Sequence, residues 1–119
     1  MKLEPNMYVR LNCNYALGIG KTIGEIDEDN FIKTKFKDGF ECSLPTYMIK
    51  KASHNIIDLI EVGDYVNGYP VYETIDYPDN TRAIVIADDN KSIIWEESSQ
   101  YIKSIVTKEQ FESMKYEVK

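Results

Sequence analysis

Residues 31–44 read FIKTKFKDGFECSL and contain the clearest β-hairpin signal in the chain. Side chains at Ile32, Thr34 and Phe36 alternate with lysines, which is the period of a half-buried strand. The pair Asp38-Gly39 then favours a two-residue hairpin turn, and the alternation continues after it. The lysine side of this hairpin is either a solvated strand face or a surface for an anionic ligand.

Several segments around this hairpin resemble segments later in the chain, and we call this internal similarity the sequence echo. The matching pieces are Met7-Tyr8-Val9 with Asp64-Tyr65-Val66, Ile23–Asp27 with Tyr72–Asp76, Asp29-Asn30 with Asp79-Asn80, and Ile49-Lys50 with Ile102-Lys103. Such self-similarity indicates repeated structural units. Chance similarity between two strand-rich halves is the alternative interpretation.

The repeat predicts a fold that is mainly β, with two small SH3-like barrels or half-barrels in tandem. We expect an N-terminal β module over residues 1–53 and a C-terminal β module over residues 54–119, packed as one compact unit. The apolar segment at residues 53–61 is the expected joint between them. A single short helix is expected near the C-terminus of the second module.

The signal for this helix is the segment Thr107-Lys108-Glu109-Gln110, which fits a capping box. In such a box the Thr107 hydroxyl caps the helix, and the Gln110 side chain reaches back to the backbone. The helix is therefore predicted near residues 108–114, presenting Phe111 and Met114 to the core. The residues after it predict a final strand.

The net charge of the chain limits the classes of partner that it can bind. The net charge is −6 and there are only two arginines, which argues against direct binding of duplex DNA. The acidic balance serves solubility, or else it lets a surface occupy a basic, nucleic-acid-binding groove on a partner. The chain has no apolar run of the roughly 18 residues that span a membrane, and its start lacks the apolar core of a secretory signal. We therefore expect no membrane and a cytoplasmic location.

The residues that usually carry chemistry are scarce. A structural zinc site needs about four thiolate or imidazole ligands, whereas this chain has Cys13, Cys42 and one histidine, His54. Its carboxylates fall mainly in turns, where they stabilise the local backbone. The sequence therefore predicts no metal, no cofactor and no catalysis, and it favours a binding protein over an enzyme.

The candidate contact residues for a ligand or partner are Trp95, Tyr69, Tyr72 and Arg82. In a barrel Trp95 belongs to the core, but in a cleft with Tyr69, Tyr72 or Tyr101 its ring would stack on a base. The planar guanidinium of Arg82 would then meet a phosphate or a carboxylate. The alternative interpretation makes Arg82 a surface residue at a strand end.

Two segments go beyond general β patterning: residues 55–68, NIIDLIEVGDYVNG, and residues 102–118, IKSIVTKEQFESMKYEV. They resemble an uncharacterised family of small proteins from tailed phages and prophages of low-GC Gram-positive bacteria. The resemblance covers about the last half of the chain and carries over no functional residues. It implies an accessory phage protein in the host bacterial cytoplasm.

Small acidic proteins in that setting are often counter-defence factors, and two mechanisms compete. Our first expectation is sequestration of a nucleotide-derived immune signal, in a pocket usually formed by a homo-oligomer, where arginines and aromatic rings converge. The alternative is an anti-CRISPR-like inhibitor that binds a host defence protein through an exposed acidic or tyrosine-rich patch. A structural or regulatory phage module is the third class.

Overall fold

The structure is a computed structural model that describes residues 2–12 and 17–114. The chain forms two compact units, which divide between Leu59 and Ile60. Each unit contains one open, five-stranded antiparallel sheet rather than a closed barrel. The prediction of a mainly β protein with two tandem modules and one short C-terminal helix is therefore confirmed.

The first unit is a five-stranded meander whose last strand returns beside the first, giving the order β4-β3-β2-β1-β5. A 3-10 turn, Thr46–Met48, precedes the last strand. Its strands are β1 Tyr8–Leu11, β2 Ile19–Thr22, β3 Phe31–Lys35, β4 Glu41–Pro45 and β5 Ile49–Ser53.

The second unit has the equivalent order, β10-β6-β7-β8-β9, so its last strand also returns beside its first. The 3-10 turn Glu96–Tyr101 again precedes the last strand. Its strands are β6 Tyr65–Val66, β7 Tyr69–Asp76, β8 Arg82–Ile86, β9 Ile93–Trp95 and β10 Ile105–Val106. The two units therefore share one SH3-like strand order.

The sequence boundary predicted between residues 53 and 54 coincides with the end of β5. The division of the structure lies later, because the 3-10 turn Ile56–Leu59 belongs to the first unit. This turn contacts β5 and β1, and it buries Ile57 and Leu59.

Equivalent backbone hydrogen bonds join the first two strands of each unit. The Thr22 amide donates to the Met7 carbonyl at 2.8 Å, and the Val71 amide donates to the Asp64 carbonyl at 2.8 Å. Met7 and Asp64 begin one matched pair of segments, and Thr22 and Val71 directly precede the next pair, Ile23–Asp27 and Tyr72–Asp76. The residues at or next to the matched segments therefore make the same hydrogen bond between the first two strands of each unit.

The turns that follow β2 and β7 also correspond. The Asn30 amide donates to the Asp27 carbonyl at 3.1 Å, and the Asn80 amide donates to the Tyr77 carbonyl at 3.0 Å. Both asparagines are left-handed, with φ of 64° and 69°. Asparagine tolerates this conformation better than most residues, which explains why both turns place it there.

The turn between β3 and β4 differs from the predicted two-residue turn. It contains three residues, Lys37–Gly39, and the Phe36 amide donates to the Phe40 carbonyl at 2.8 Å across it. Gly39 has a φ of 78°, and the Gly39 amide donates back to the Phe36 carbonyl at 3.1 Å. One left-handed glycine closing a three-residue loop is the next most common hairpin after the two-residue turns.

The helix α1 spans Lys108–Met114. The predicted capping box is present, because the Gln110 amide donates to Thr107 Oγ1 at 3.2 Å and the Thr107 amide donates to Gln110 Oε1 at 2.9 Å. The buried Asp64 carboxylate also accepts a bond from the Lys108 amide at 2.9 Å. A carboxylate at a helix N-terminus is electrostatically favourable, so Asp64 fastens α1 to the start of β6.

The prediction that Phe111 faces the core is wrong. Phe111 lies at the surface, 38% exposed, and stacks on Tyr65 with a centroid distance of 4.8 Å. The Met114 side chain and the predicted strand at Tyr116 and Val118 lie outside the described residues. None of the described helices has the length and apolar character that crossing a membrane requires.

The core of the first unit is packed against the backbone of β2. A Cβ atom added at Gly20 would lie 2.7 Å from the Phe36 ring and 2.7 Å from the Thr34 methyl group. The other members of this core are Val9, Leu11, Ile32, Leu44 and Ile49.

We expect Gly20→Ala to lower the free energy of unfolding by about 1–3 kcal/mol, because the new methyl group overpacks this core. Gly24→Ala is the matched control, since the nearest atom to its added Cβ is 3.8 Å away. Urea unfolding of both variants provides the measurement. Equal losses in the two variants would show that the close approach at Gly20 does not limit stability.

Candidate binding surface

An exposed apolar surface lies on one face of the sheet in the second unit. In the hydrogen-bonded register, Ile75 pairs with Ala83, and Ala83 pairs with Trp95. One row along, Val85 pairs with Ile93 on the same face. Trp95 and Ile93 are 43% and 46% exposed, whereas Ala83 and Val85 on the central strand are buried.

Tyr77 extends this surface beyond the end of β7. Its ring stacks on Trp95 with a centroid distance of 5.5 Å and an interplanar angle of 24°. We name the surface formed by Ile75, Tyr77, Ile93 and Trp95 the tryptophan face. The stacked pair fixes the orientation of the indole, so a partner would meet a preformed ring rather than a mobile one.

The alternative that placed Trp95 in the core is wrong, because its ring is exposed at the edge of a hairpin. The ring that Trp95 meets is Tyr77, which is not among the contact residues predicted from the sequence. One signal was available: the small side chain of Ala83 lies among bulky residues of β8, which leaves room for a large cross-strand neighbour.

Tyr69 and Tyr72 are also exposed, at 44% and 46%. Tyr72 lies where the β7–β8 register shifts, between Val71 and Glu73. Within the described part of the chain, neither tyrosine makes a ring contact with another aromatic side chain. The structure therefore does not unite Tyr69 and Tyr72 with Trp95 in one stacked cluster.

Tyr101 is more exposed still, at 63%, in the 3-10 turn before β10. Its carbonyl accepts a hydrogen bond from Asn67 Nδ2 at 3.0 Å. Tyr47 of the first unit is arranged in the same way, because its carbonyl accepts a bond from Asn12 Nδ2 at 2.8 Å and its ring is 77% exposed. Each unit therefore presents one tyrosine on an equivalent, amide-anchored turn.

Arg82 is separated from the indole by the pleat of the sheet. It pairs with Asp76 in the register, one position from the row that contains Trp95, so its side chain points to the opposite face. Its Nε donates to Asp76 Oδ1 at 3.2 Å, and only 12% of its side chain is exposed. The guanidinium is thus engaged within the protein and is not an open surface group.

The net negative charge of the protein comes from the second unit. Residues 60–119 contain twelve acidic and six basic residues, whereas residues 1–59 contain eight of each. Glu73 shares a face with Ile93, since both pair with Val85. Asp76 belongs to the opposite face, where it pairs with Arg82. The carboxylate that borders the tryptophan face is therefore that of Glu73.

Comparison with family models, with curated proteins and with solved structures finds no match for this chain.

Among the described residues, no three His, Cys, Asp or Glu side chains come together to hold a metal ion. Cys42 packs against the core of the first unit, and burial raises the pKa of its thiol. Cys13 lies outside the described residues.

Two aspartates hold the hairpin turns that position β8 and β9. Asp79 Oδ1 accepts bonds from the Thr81 hydroxyl at 2.6 Å and the Thr81 amide at 3.0 Å. Asp88 accepts bonds from the Ser92 hydroxyl at 2.6 Å and the Ser92 amide at 2.8 Å. These hydrogen bonds lower the pKa of both carboxyl groups, and the bond from the hydroxyl has the larger effect in each case.

We expect the two turns to weaken in acid. Because the folded-state pKa values lie below the ordinary 3.8, this stabilisation is present above that value and is lost as the pH falls through the lowered values. The double variant Asp79→Asn/Asp88→Asn should lose less stability than the native chain between neutral and acid pH. Urea unfolding across this range tests it, with Asp89→Asn as the control, and parallel curves would contradict the assignment.

Proposed function

We propose that the protein is a non-enzymatic binding protein that docks a partner protein through the tryptophan face. The observation that carries this proposal is the exposed Trp95 ring, held by Tyr77 beside the exposed Ile93. Tryptophan and tyrosine dominate the energy of protein interfaces when they fill apolar pockets. A rigid ring of this kind also loses little conformational entropy on binding.

The charges around this face define the chemistry of the partner. A partner with an apolar pocket bordered by lysines or arginines would complement both the indole and the carboxylate of Glu73. Such complementarity speeds association and selects against acidic partners. A basic groove that otherwise holds nucleic acid has this composition.

The resemblance of the second half of the chain to phage proteins supports a counter-defence role. In that setting the partner is a host defence protein in the bacterial cytoplasm, such as a CRISPR effector. Occupying its basic groove would block access of nucleic acid without any catalytic step.

The geometry supports this role better than sequestration of a nucleotide-derived signal. A phosphorylated ligand that stacked on Trp95 would need a cation close by, but Arg82 is turned to the other face and bonded to Asp76. The nearby carboxylate of Glu73 would also repel phosphate groups.

Affinity purification of the tagged protein from host cells that carry defence systems should identify the partner, and titration calorimetry should then give its affinity. We expect Trp95→Ala to weaken binding by at least about 2 kcal/mol, roughly thirtyfold. Ile93→Lys should also weaken binding, since it places a cation against a basic groove. Tyr47→Ala, an exposed tyrosine of the first unit, is the matched control and should bind normally.

Thermal unfolding of Trp95→Ala and Ile93→Lys tests whether both variants remain folded. A partner that binds Trp95→Ala with native affinity would contradict the docking assignment. Native mass spectrometry of the same preparations tests sequestration, because a bound small molecule that is lost in Trp95→Ala would establish the nucleotide alternative instead. Plating of phage on the same cells shows whether binding protects infection.

A further inference from the structure

A basic surface lies on the first unit, apart from the tryptophan face. Tyr8 on β1 pairs with Lys21 on β2, and Lys21 pairs with Lys35 on β3. Along β3, the exposed Phe31, Lys33 and Lys35 alternate with buried residues, so all three share that outer face. We name the surface formed by Tyr8, Lys21, Phe31, Lys33 and Lys35 the lysine face.

The arrangement of its cations is unfavourable for the isolated protein. Lys21 and Lys35 lie directly opposite each other on neighbouring strands, and like charges in that position destabilise a sheet. Glu41 lies on the same face, since it pairs with Lys35 in the register, and its carboxylate is 3.7 Å from Lys33 Nζ. Among the strand residues paired in this register, three ammonium groups therefore face one carboxylate.

Aromatic rings are interleaved with these cations. Lys21 Nζ lies 5.3 Å from the centroid of the Tyr8 ring, and Phe31 is 37% exposed two positions from Lys33. Ile23 adds an exposed apolar side chain beside Lys33. The Ile23 amide donates a hydrogen bond to the Lys33 carbonyl. Cations that neutralise phosphates, next to rings on which bases stack, are the components of surfaces that bind single-stranded nucleic acid.

We propose that the lysine face binds a short stretch of single-stranded nucleic acid. The ammonium groups of Lys21, Lys33 and Lys35 contact phosphates, and the rings of Tyr8 and Phe31 stack on bases. A duplex would leave both rings without partners, because its bases are already stacked on one another. This second site does not depend on the proposed docking function, since it lies on the other unit.

The length of the bound segment is limited at one end of the face. The turn that precedes Phe31 contains Glu25, Asp27, Glu28 and Asp29, all of them exposed. These carboxylates repel a phosphate chain that continues past Phe31. The bound strand therefore ends at Phe31 and does not continue beyond it.

Fluorescence anisotropy with a short labelled oligothymidylate, measured over a range of salt concentrations, tests the proposal. For single strands, the slope of log affinity against log salt changes by about 0.7 for each phosphate contact. The double variant Lys21→Gln/Lys35→Gln should therefore reduce the slope by about 1.4. Tyr8→Leu should lower affinity at least about fivefold without changing the slope.

Two controls separate this site from folding and from the docking surface. Removal of the opposed charges at Lys21 and Lys35 should leave the melting temperature unchanged or raise it, so any loss of binding is not unfolding. Lys103→Gln, an exposed lysine of the second unit, and Trp95→Ala should both bind the oligonucleotide as the native chain does.

Three results would overturn the proposal. The first is no binding by the native chain at low salt, or binding that the double variant retains with the same slope. The second is equal affinity for the duplex of the same sequence, which would leave the rings without a role. The third is competition by polyglutamate as effective as that of unlabelled oligonucleotide, which would assign the face to an acidic protein.

Discussion

The register of β8 against its neighbours is the constraint on which the surface of the second unit depends. It is fixed by two hairpin turns, each with one left-handed residue, Asn80 at φ 69° and Lys91 at φ 51°. A slip of one residue would reverse every side chain of β9, turning the buried Ile94 outward and Trp95 inward. The aspartate bonds that close these turns therefore also determine that an indole reaches the surface.

The two units use one backbone plan to present surfaces of opposite character. Strand order, the 3-10 turn before the fifth strand and the left-handed asparagines are the same in both. The differences lie in the outward positions, where the first unit has opposed lysines such as Lys21 and Lys35, and the second has Ile93 and Trp95. A repeated fold thus leaves the core constrained by packing while the residues of its outer faces differ in charge and polarity.

Alternation and capping made much of this fold predictable from the sequence. The period of β3 identified Ile32 and Thr34 as inward residues, and the Thr107 box located α1, because both signals are local. The sequence left open whether Trp95 is buried or exposed, and it did not indicate that Arg82 binds Asp76. Alternation determines which residues share a face, but which face is covered depends on contacts between distant segments. The three-residue turn at Gly39 was missed because residues 38 and 39 also suit a two-residue turn.

The net charge of the chain is a poor guide to what each face can bind. An overall charge of −6 argues against broad contact with duplex DNA, yet the acidic excess belongs to residues 60–119. At physiological salt the Debye length is about 8 Å, so a phosphate at the lysine face responds mainly to Lys21, Lys35 and their immediate neighbours. The same screening makes Glu73 the relevant charge for a partner at the tryptophan face. One acidic chain can therefore offer a cationic surface and an anionic one, and each must be judged by its own residues.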